Sequence, residues 1–289
     1  MSLGEGSRKQ RTIKESVPFI GTALHSGKEV EMKLKPAAAG SGVVFCRVDL
    51  PGEPEIKAVP GRVVATNRCT ILGRNYRGET VEVRTVEHLL AAIWAAGIDN
   101  LRIELVGPEV PITDGSAAPF LELLDGGATT VQQQPRRVLQ PAAAVWVRGE
   151  AEDSSLGIVP YDGFKVSYVL DYDHPLIGTQ FHEFVDGDSS FQEEIARART
   201  FGFFRDIESL HRQGLALGGS LENALVVEQQ DFLNQPRFPD EPVRHKVLDV
   251  IGDMFLNGYL RGHVIGIKSG HSLNVRLAQR LAREQNRVY

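Results

Sequence analysis

Two stretches of this chain carry a helix-period apolar pattern, a closing glycine and then a strand-period pattern, and that repeated pairing most limits the fold. In "VRTVEHLLAAIWAAG" (83–97), Val86, Leu89, Leu90, Ile93 and Ala96 recur at helical spacing and Gly97 is a stop signal. The turn "GIDN" and the alternating "NLRIELV" follow it. Later, "HKVLDVIGDMFLNG" (245–258) ends at Gly258 and leads into the strand pattern "GHVIGIKSG". Further strands are expected at "EVEMKLKPA" and "FKVSYVLDYDH". Each helix bears a histidine in its opening turns. Helices and strands in this order predict an α+β fold of two units, related by duplication or alike only because helix followed by strand is common. Between them, "LDGGATTVQQQPRRVLQP" (124–141) has the glycine, glutamine and proline content of a connector. The expected units are therefore 1–130 and 131–289.

Bulk properties exclude several classes. The 289 residues exceed the usual single-domain size of roughly 100 to 200. A hydrophobic content of 42% with 24% charged residues is that of a folding globular chain, and a net charge of -5 offers no electrostatic footprint for nucleic acid. Cys46 and Cys69 are too few for a disulfide framework and read as core thiols in a reducing compartment. The longest apolar run, "LLAAIWAAGI", falls short of the roughly 20 residues a membrane helix needs. The charged start "MSLGEGSRKQRTIKES" lacks the apolar segment of a secretory signal, so the expected location is the cytoplasm.

Three short stretches bear polar groups that chemistry could use. His245, Asp249 and Asp253 are spaced by four in "VRHKVLDVIGD", which puts them on one helical face. An imidazole and a carboxylate one turn apart can share a zinc ion at about 2 Å, although the same spacing also describes a solvated polar face. In "TVEHLLAAI", adjacent Glu87 and His88 diverge by about 100° on a helix, so they suit different roles toward one centre, or simply solvent. His271 follows Ser269 and Gly270 between a strand and a helix expected near Leu273, with Ser272 as its cap, so a loop would present it. "LGGS" lacks the lysine of a phosphate loop, and "TDGSAAPF" is explained by a turn with Ser116 as a helix cap.

Taken together, "VEHLLAAIWAAGIDN", "PITDGSAAPF", "ARARTFGF", "GLALGGSLENALVV", "RHKVLDVIGD" and "KSGHSLNVRL" occur in an order that resembles the UDP-3-O-acyl-N-acetylglucosamine deacetylases of lipid A biosynthesis. The resemblance runs from "RTIKESVPFIGTALHSG" to the last helix, nearly the whole chain. It implies two related two-layer α/β sandwiches packed helix layer to helix layer, each with a small insertion, and a zinc site at the interface between them.

The resemblance also implies roles. His88, His245 and Asp249 match the ligands of one Zn2+, leaving the open position of a catalytic metal. Glu87 matches the general base, and Asp253 the carboxylate that orients and charges the histidine matching His271. Zinc, Thr200 and cationic His271 would stabilise the oxyanion formed as the N-acetyl amide is hydrolysed to acetate and a free amine, the committed step of lipid A biosynthesis. His271 or Glu87 would protonate the leaving amine. Lys246, Phe201 and Tyr172 match substrate-binding residues, and an insertion near 204–227 matches an apolar passage for the acyl chain. His25 matches a loop near the site, whereas His174, His182, His211 and His263 match no chemistry. Asn67 and Arg68, beside Cys69, fall where family members vary, so access to the site is a point of difference. The implied partners are the UDP-sugar substrate and peripheral access to acyl-carrier and membrane pathways, with no nucleic acid, and the expected form is a monomer. Rival readings are a binding protein of the same fold, which would need neither a base nor an open metal site, and a zinc hydrolase of another amide.

Overall fold

A computed structural model describes residues 8–150 and 153–285. The N-terminal seven residues, on which part of the reading of the start as no secretory signal falls, lie outside the described residues. The fold is α+β, with helices α1 (Glu87–Ala95), α2 (Ala118–Gly126), α3 (Phe191–Glu194), α4 (Phe204–Arg212), α5 (Glu241–Met254) and α6 (His271–Gln285).

Two five-stranded sheets share one topology. In the first, the spatial order is Val17–Thr22, Glu29–Pro36, Leu101–Val106, Val43–Arg47, Glu55–Lys57. In the second it is Val145–Arg148, Ser155–Val159, Gly262–Ile267, Phe164–Asp171, Thr179–Val185. Each sheet inserts its last strand in chain order at the centre, antiparallel to one neighbour and parallel to the other. Alternation explains the faces: Val30, Met32 and Leu34 are buried along Glu29–Pro36 while Glu29, Glu31 and Lys33 are exposed.

Helix α1 is buried along almost its whole length, so both of its flanks meet protein. Leu89, Leu90 and Ile93 join the same apolar cluster as Leu34, Phe45 and Ile103 of the first sheet. Helix α1 also packs on α5, which in turn lies on α6 and on the strands Phe164–Asp171 and Thr179–Val185. The closest approach is at Gly252 of α5, where an added Cβ would stand 2.1 Å from the Glu87 carbonyl oxygen. A hydrogen side chain is what lets these helices cross backbone to backbone.

Several boundaries differ from the sequence reading. Helix α1 begins at Glu87 because Thr85 takes a left-handed φ of 57° and Arg84 bridges Glu109. The glutamine run of the supposed connector is a strand, Thr129–Pro135, paired antiparallel with Lys9–Ile13. Its Gln132 amide donates to the Ala37 carbonyl and accepts from Asn100, so these polar side chains anchor strands. Helix α6 begins at His271, not near Leu273, since the Gly270 carbonyl accepts from Asn274 N–H and closes the first turn. His271 thus stands at the start of the helix, and Ser272 lies inside it. Ser116 precedes the α2 cap residue Ala117, although its hydroxyl still accepts from Ala118 N–H.

Candidate active site

Side chains from four segments converge where α1 crosses α5. His88 and Glu87 open α1, His245, Asp249 and Asp253 line one face of α5, and His271 begins α6. The fourth segment, leading into the strand Ile71–Tyr76, supplies Thr70. All except His271 are buried residues, and the His271 side chain is only 11% exposed.

His88, His245 and Asp249 bring donor atoms within 4.8 Å of one another. Asp249 Oδ1 lies 3.4 Å from His245 Nε2 and 3.7 Å from His88 Nε2. A carbonyl can only accept, so the 3.0 Å contact of His245 Nδ1 with the Ala198 oxygen puts the ring proton on Nδ1 and leaves Nε2 free to ligate. Asp249 Oδ2 accepts from Lys246 Nζ at 2.7 Å, while Oδ1 is buried with no hydrogen-bond partner among the described residues. A buried carboxylate oxygen facing two imidazole nitrogens is a cation site in chemical terms.

The site's own charges set its protonation. Burial pushes His88 down to about 3, helped by His245, and burial lowers His245 as well, so both rings are neutral. Burial opposes ionisation of Asp249, but Lys246 and the histidines hold its carboxyl well below the usual range. Burial pushes Glu87 up to about 7. His271 goes the other way: burial would lower it, yet Asp253, Asp249 and Glu87 push it up to about 9. Its Nδ1–H donates to Asp253 Oδ2 at 2.8 Å, and Nε2 stands 3.8 Å from Glu87 Oε1 and 3.9 Å from Asp249 Oδ2.

Glu87, His88, His245, Asp249 and His271 line a cavity of about 710 Å³. Thr200, Phe201, Tyr172 and Lys246 line it too. Thr200 is held by its backbone, which donates to the Gly115 carbonyl and accepts from Leu225. Tyr172 packs edge-on against Phe201 at 5.9 Å, and Lys246 Nζ sits 5.8 Å from the Phe201 ring centre. Lys246 is therefore bound to a candidate ligand as well as facing the cavity. Part of the wall is apolar, with Ile207, Leu210, Leu221, Ala224, Val226 and Leu233. Ile207, Leu210, Leu221 and Ala224 belong to the segment between the strands Phe201–Phe203 and Leu225–Val227, which pair in parallel at its base, while Val226 is on the second of these strands and Leu233 follows it.

Other groups fall around this frame. His25 is buried on the cavity wall, where its backbone N–H donates to Glu109 and its carbonyl accepts from Leu217 N–H. Arg68 also lines the cavity. His174, His182 and His263 do not line it, whereas His211, on α4, does. Cys46 and Cys69 are free and buried, and burial pushes the Cys69 thiol up to about 12, so it stays protonated beside Glu87. Three residues missed in the sequence shape the site: Thr70, Gly252 and Asn274. Asn274 lies one turn after His271 on α6 and donates to Asp253 Oδ2 at 2.9 Å, a spacing that could have revealed it.

Comparison with known proteins gives one answer. The family described as UDP-3-O-acyl N-acetylglycosamine deacetylase matches residues 10–283. The chain belongs to this family. Curated relatives named UDP-3-O-acyl-N-acetylglucosamine deacetylase include one from Myxococcus xanthus, 47% identical over 278 residues, covering 95% of this chain and 87% of the relative. Others are from Thioalkalivibrio sulfidiphilus, 45% identical, and Acidithiobacillus ferrooxidans, 44% identical, each covering 96% of this chain and 91% of the relative. Members of the deacetylase family are hydrolases, and among the described residues no helix is long and apolar enough to cross a membrane.

Proposed function

We propose that the chain hydrolyses the N-acetyl group of UDP-3-O-(3-hydroxyacyl)-N-acetylglucosamine to the free amine and acetate, in lipid A biosynthesis, with one zinc ion held by His88, His245 and Asp249. The observation that carries this reading is the orphaned, buried Asp249 Oδ1 facing two imidazole nitrogens, with Glu87 and His271 beside it. Two neutral imidazoles and a carboxylate are a donor set that zinc accepts with a position left open for catalysis. A zinc ion bound there supplies Lewis acidity toward water and the amide carbonyl.

The protein groups do the rest. Glu87, pushed up to about 7, takes a proton from the attacking water near neutral pH. As the carbonyl oxygen becomes an oxyanion, cationic His271 and the Thr200 hydroxyl stabilise it, each well-placed donor contributing about 3 kcal/mol. The carbon–nitrogen bond then breaks, and the amine takes its proton from His271 or from the Glu87 that received one. Asp253 keeps His271 oriented and charged throughout.

The rest of the cavity suits the remainder of the substrate. The apolar part of the wall receives the acyl chain, with the insertion near 204–227 supplying most of it, and Lys246, Phe201 and Tyr172 meet the polar part. The two sheets with their helices act as related domains, 1–130 and 131–289, with the metal between them. The working form is a cytoplasmic monomer that meets acyl-carrier and membrane pathways at their periphery.

Mass spectrometry of the purified protein with this substrate tests the proposal. Acetate-loss product should appear, vanish on chelation and return with zinc. Folded, zinc-loaded protein that yields no free amine would overturn the substrate assignment.

A further inference from the structure

Two carboxylates on different helices must be held in register for this site to work, and one buried residue touches both. Thr70 N–H donates to Glu87 Oε2 at 3.0 Å, and the Thr70 hydroxyl donates to Asp253 Oδ1 at 2.5 Å. The same hydroxyl oxygen lies 3.4 Å from His271 Nδ1. Thr70 is fully buried, on the segment that enters the strand Ile71–Tyr76 after the left-handed Arg68. It belongs to neither of the helices whose carboxylates it contacts.

We infer that Thr70 is a positioning residue, which fixes Glu87 through its backbone and, through its hydroxyl, fixes the Asp253 carboxylate so that His271 stays aimed into the cavity. The inference rests on the catalytic reading above. Asp253 has no freedom to choose another pose while Thr70 holds Oδ1 and Asn274 holds Oδ2, because both oxygens are then committed. With Oδ1 released, the buried carboxylate can turn about its own axis and the 2.8 Å bond to His271 Nδ1 loses its fixed acceptor. Threonine suits the post better than its near isostere valine, which matches the shape and keeps the N–H to Glu87 but lacks the hydroxyl.

The test compares Thr70→Val, Thr70→Ser and wild type, all zinc-loaded and shown folded by near-UV circular dichroism. Hydrogen bonds to a buried charged group are worth enough that kcat for Thr70→Val should fall by about tenfold or more with KM nearly unchanged, and Thr70→Ser should recover most of it. A readout independent of turnover is the downfield NMR signal of the His271 Nδ1–H, expected to be lost or displaced in Thr70→Val and kept in Thr70→Ser. If Thr70→Val does not fold, Thr70→Ala against Thr70→Ser carries the same comparison. An unchanged His271 signal together with unchanged kcat in the hydroxyl-free variant overturns the inference, as does equal damage by serine. Failure of the wild type to release acetate would count against the substrate proposal alone, since the NMR comparison stands without it.

Discussion

The Cα of Gly252 faces the carbonyl of Glu87 so closely that a methyl group there would sit 2.1 Å from the oxygen. Replacing a helical glycine by alanine ordinarily stabilises by about 1 kcal/mol. Here the sign reverses, because the obstructing atom is backbone and one helix must move. Gly252→Ala should destabilise by about 1–3 kcal/mol and weaken metal binding, since His88 travels with α1. Thermal unfolding and zinc stoichiometry measure the two effects, and an alanine variant more stable than wild type would show that the crossing is loose.

Under the proposed roles, substitutions at Glu87 and His245 should separate catalysis from metal binding. Glu87→Gln should retain about one zinc per chain while kcat falls by roughly 10²–10⁴. His245→Ala should lose zinc affinity as well as turnover, because it removes a ligand. Metal analysis after dialysis distinguishes them; equal zinc content and full activity in both would defeat the role assignment.

The rate should be bell-shaped in pH. Glu87 works deprotonated, so activity rises as pH passes about 7, and His271 works protonated, so activity falls as pH passes about 9. A bound divalent cation favours the carboxylate and disfavours the imidazolium, so it moves both limbs toward acid. Asp253→Asn removes the leading charge that raises His271 and should shift the alkaline limb further down than the acid limb. Profiles of kcat/KM for the two proteins provide the comparison, and coincident alkaline limbs would detach Asp253 from that limb.

The apolar wall of the cavity should discriminate by chain length. Ala224→Phe adds a ring to a wall residue, so KM for a long-chain substrate should rise by about tenfold or more while a short-chain analogue is turned over almost normally. Uniform loss for both lengths would place the acyl chain elsewhere.

Much of this candidate site was legible because its polar side chains sit at fixed helical offsets. His245, Asp249 and Asp253 recur every four residues, and a periodic signal survives folding unchanged. The strands Glu29–Pro36 and Leu101–Val106 were equally plain from their alternation. Thr70 was not legible, since its importance lies in reaching residues 17 and 183 positions away, and a lone threonine beside a cysteine carries no period. Gly252 carried no sequence signal of its role, because only the partner backbone explains it. The glutamines at 132–134 looked like linker because polarity alone cannot distinguish solvent from the edge of another strand. The start of α6 was misplaced by two residues because Gly270 caps through its carbonyl, which no side-chain signal announces.

The residues gathered at the candidate site run from Thr70 to Asn274, so no contiguous stretch of chain holds them. During synthesis, the candidate metal triad is incomplete until Asp249 has been made, and Asp253 lacks both His271 and Asn274 for some twenty residues after that. An unfinished or half-folded chain therefore presents no competent centre, and specific activity doubles as a gauge of how much of a preparation has reached the native state.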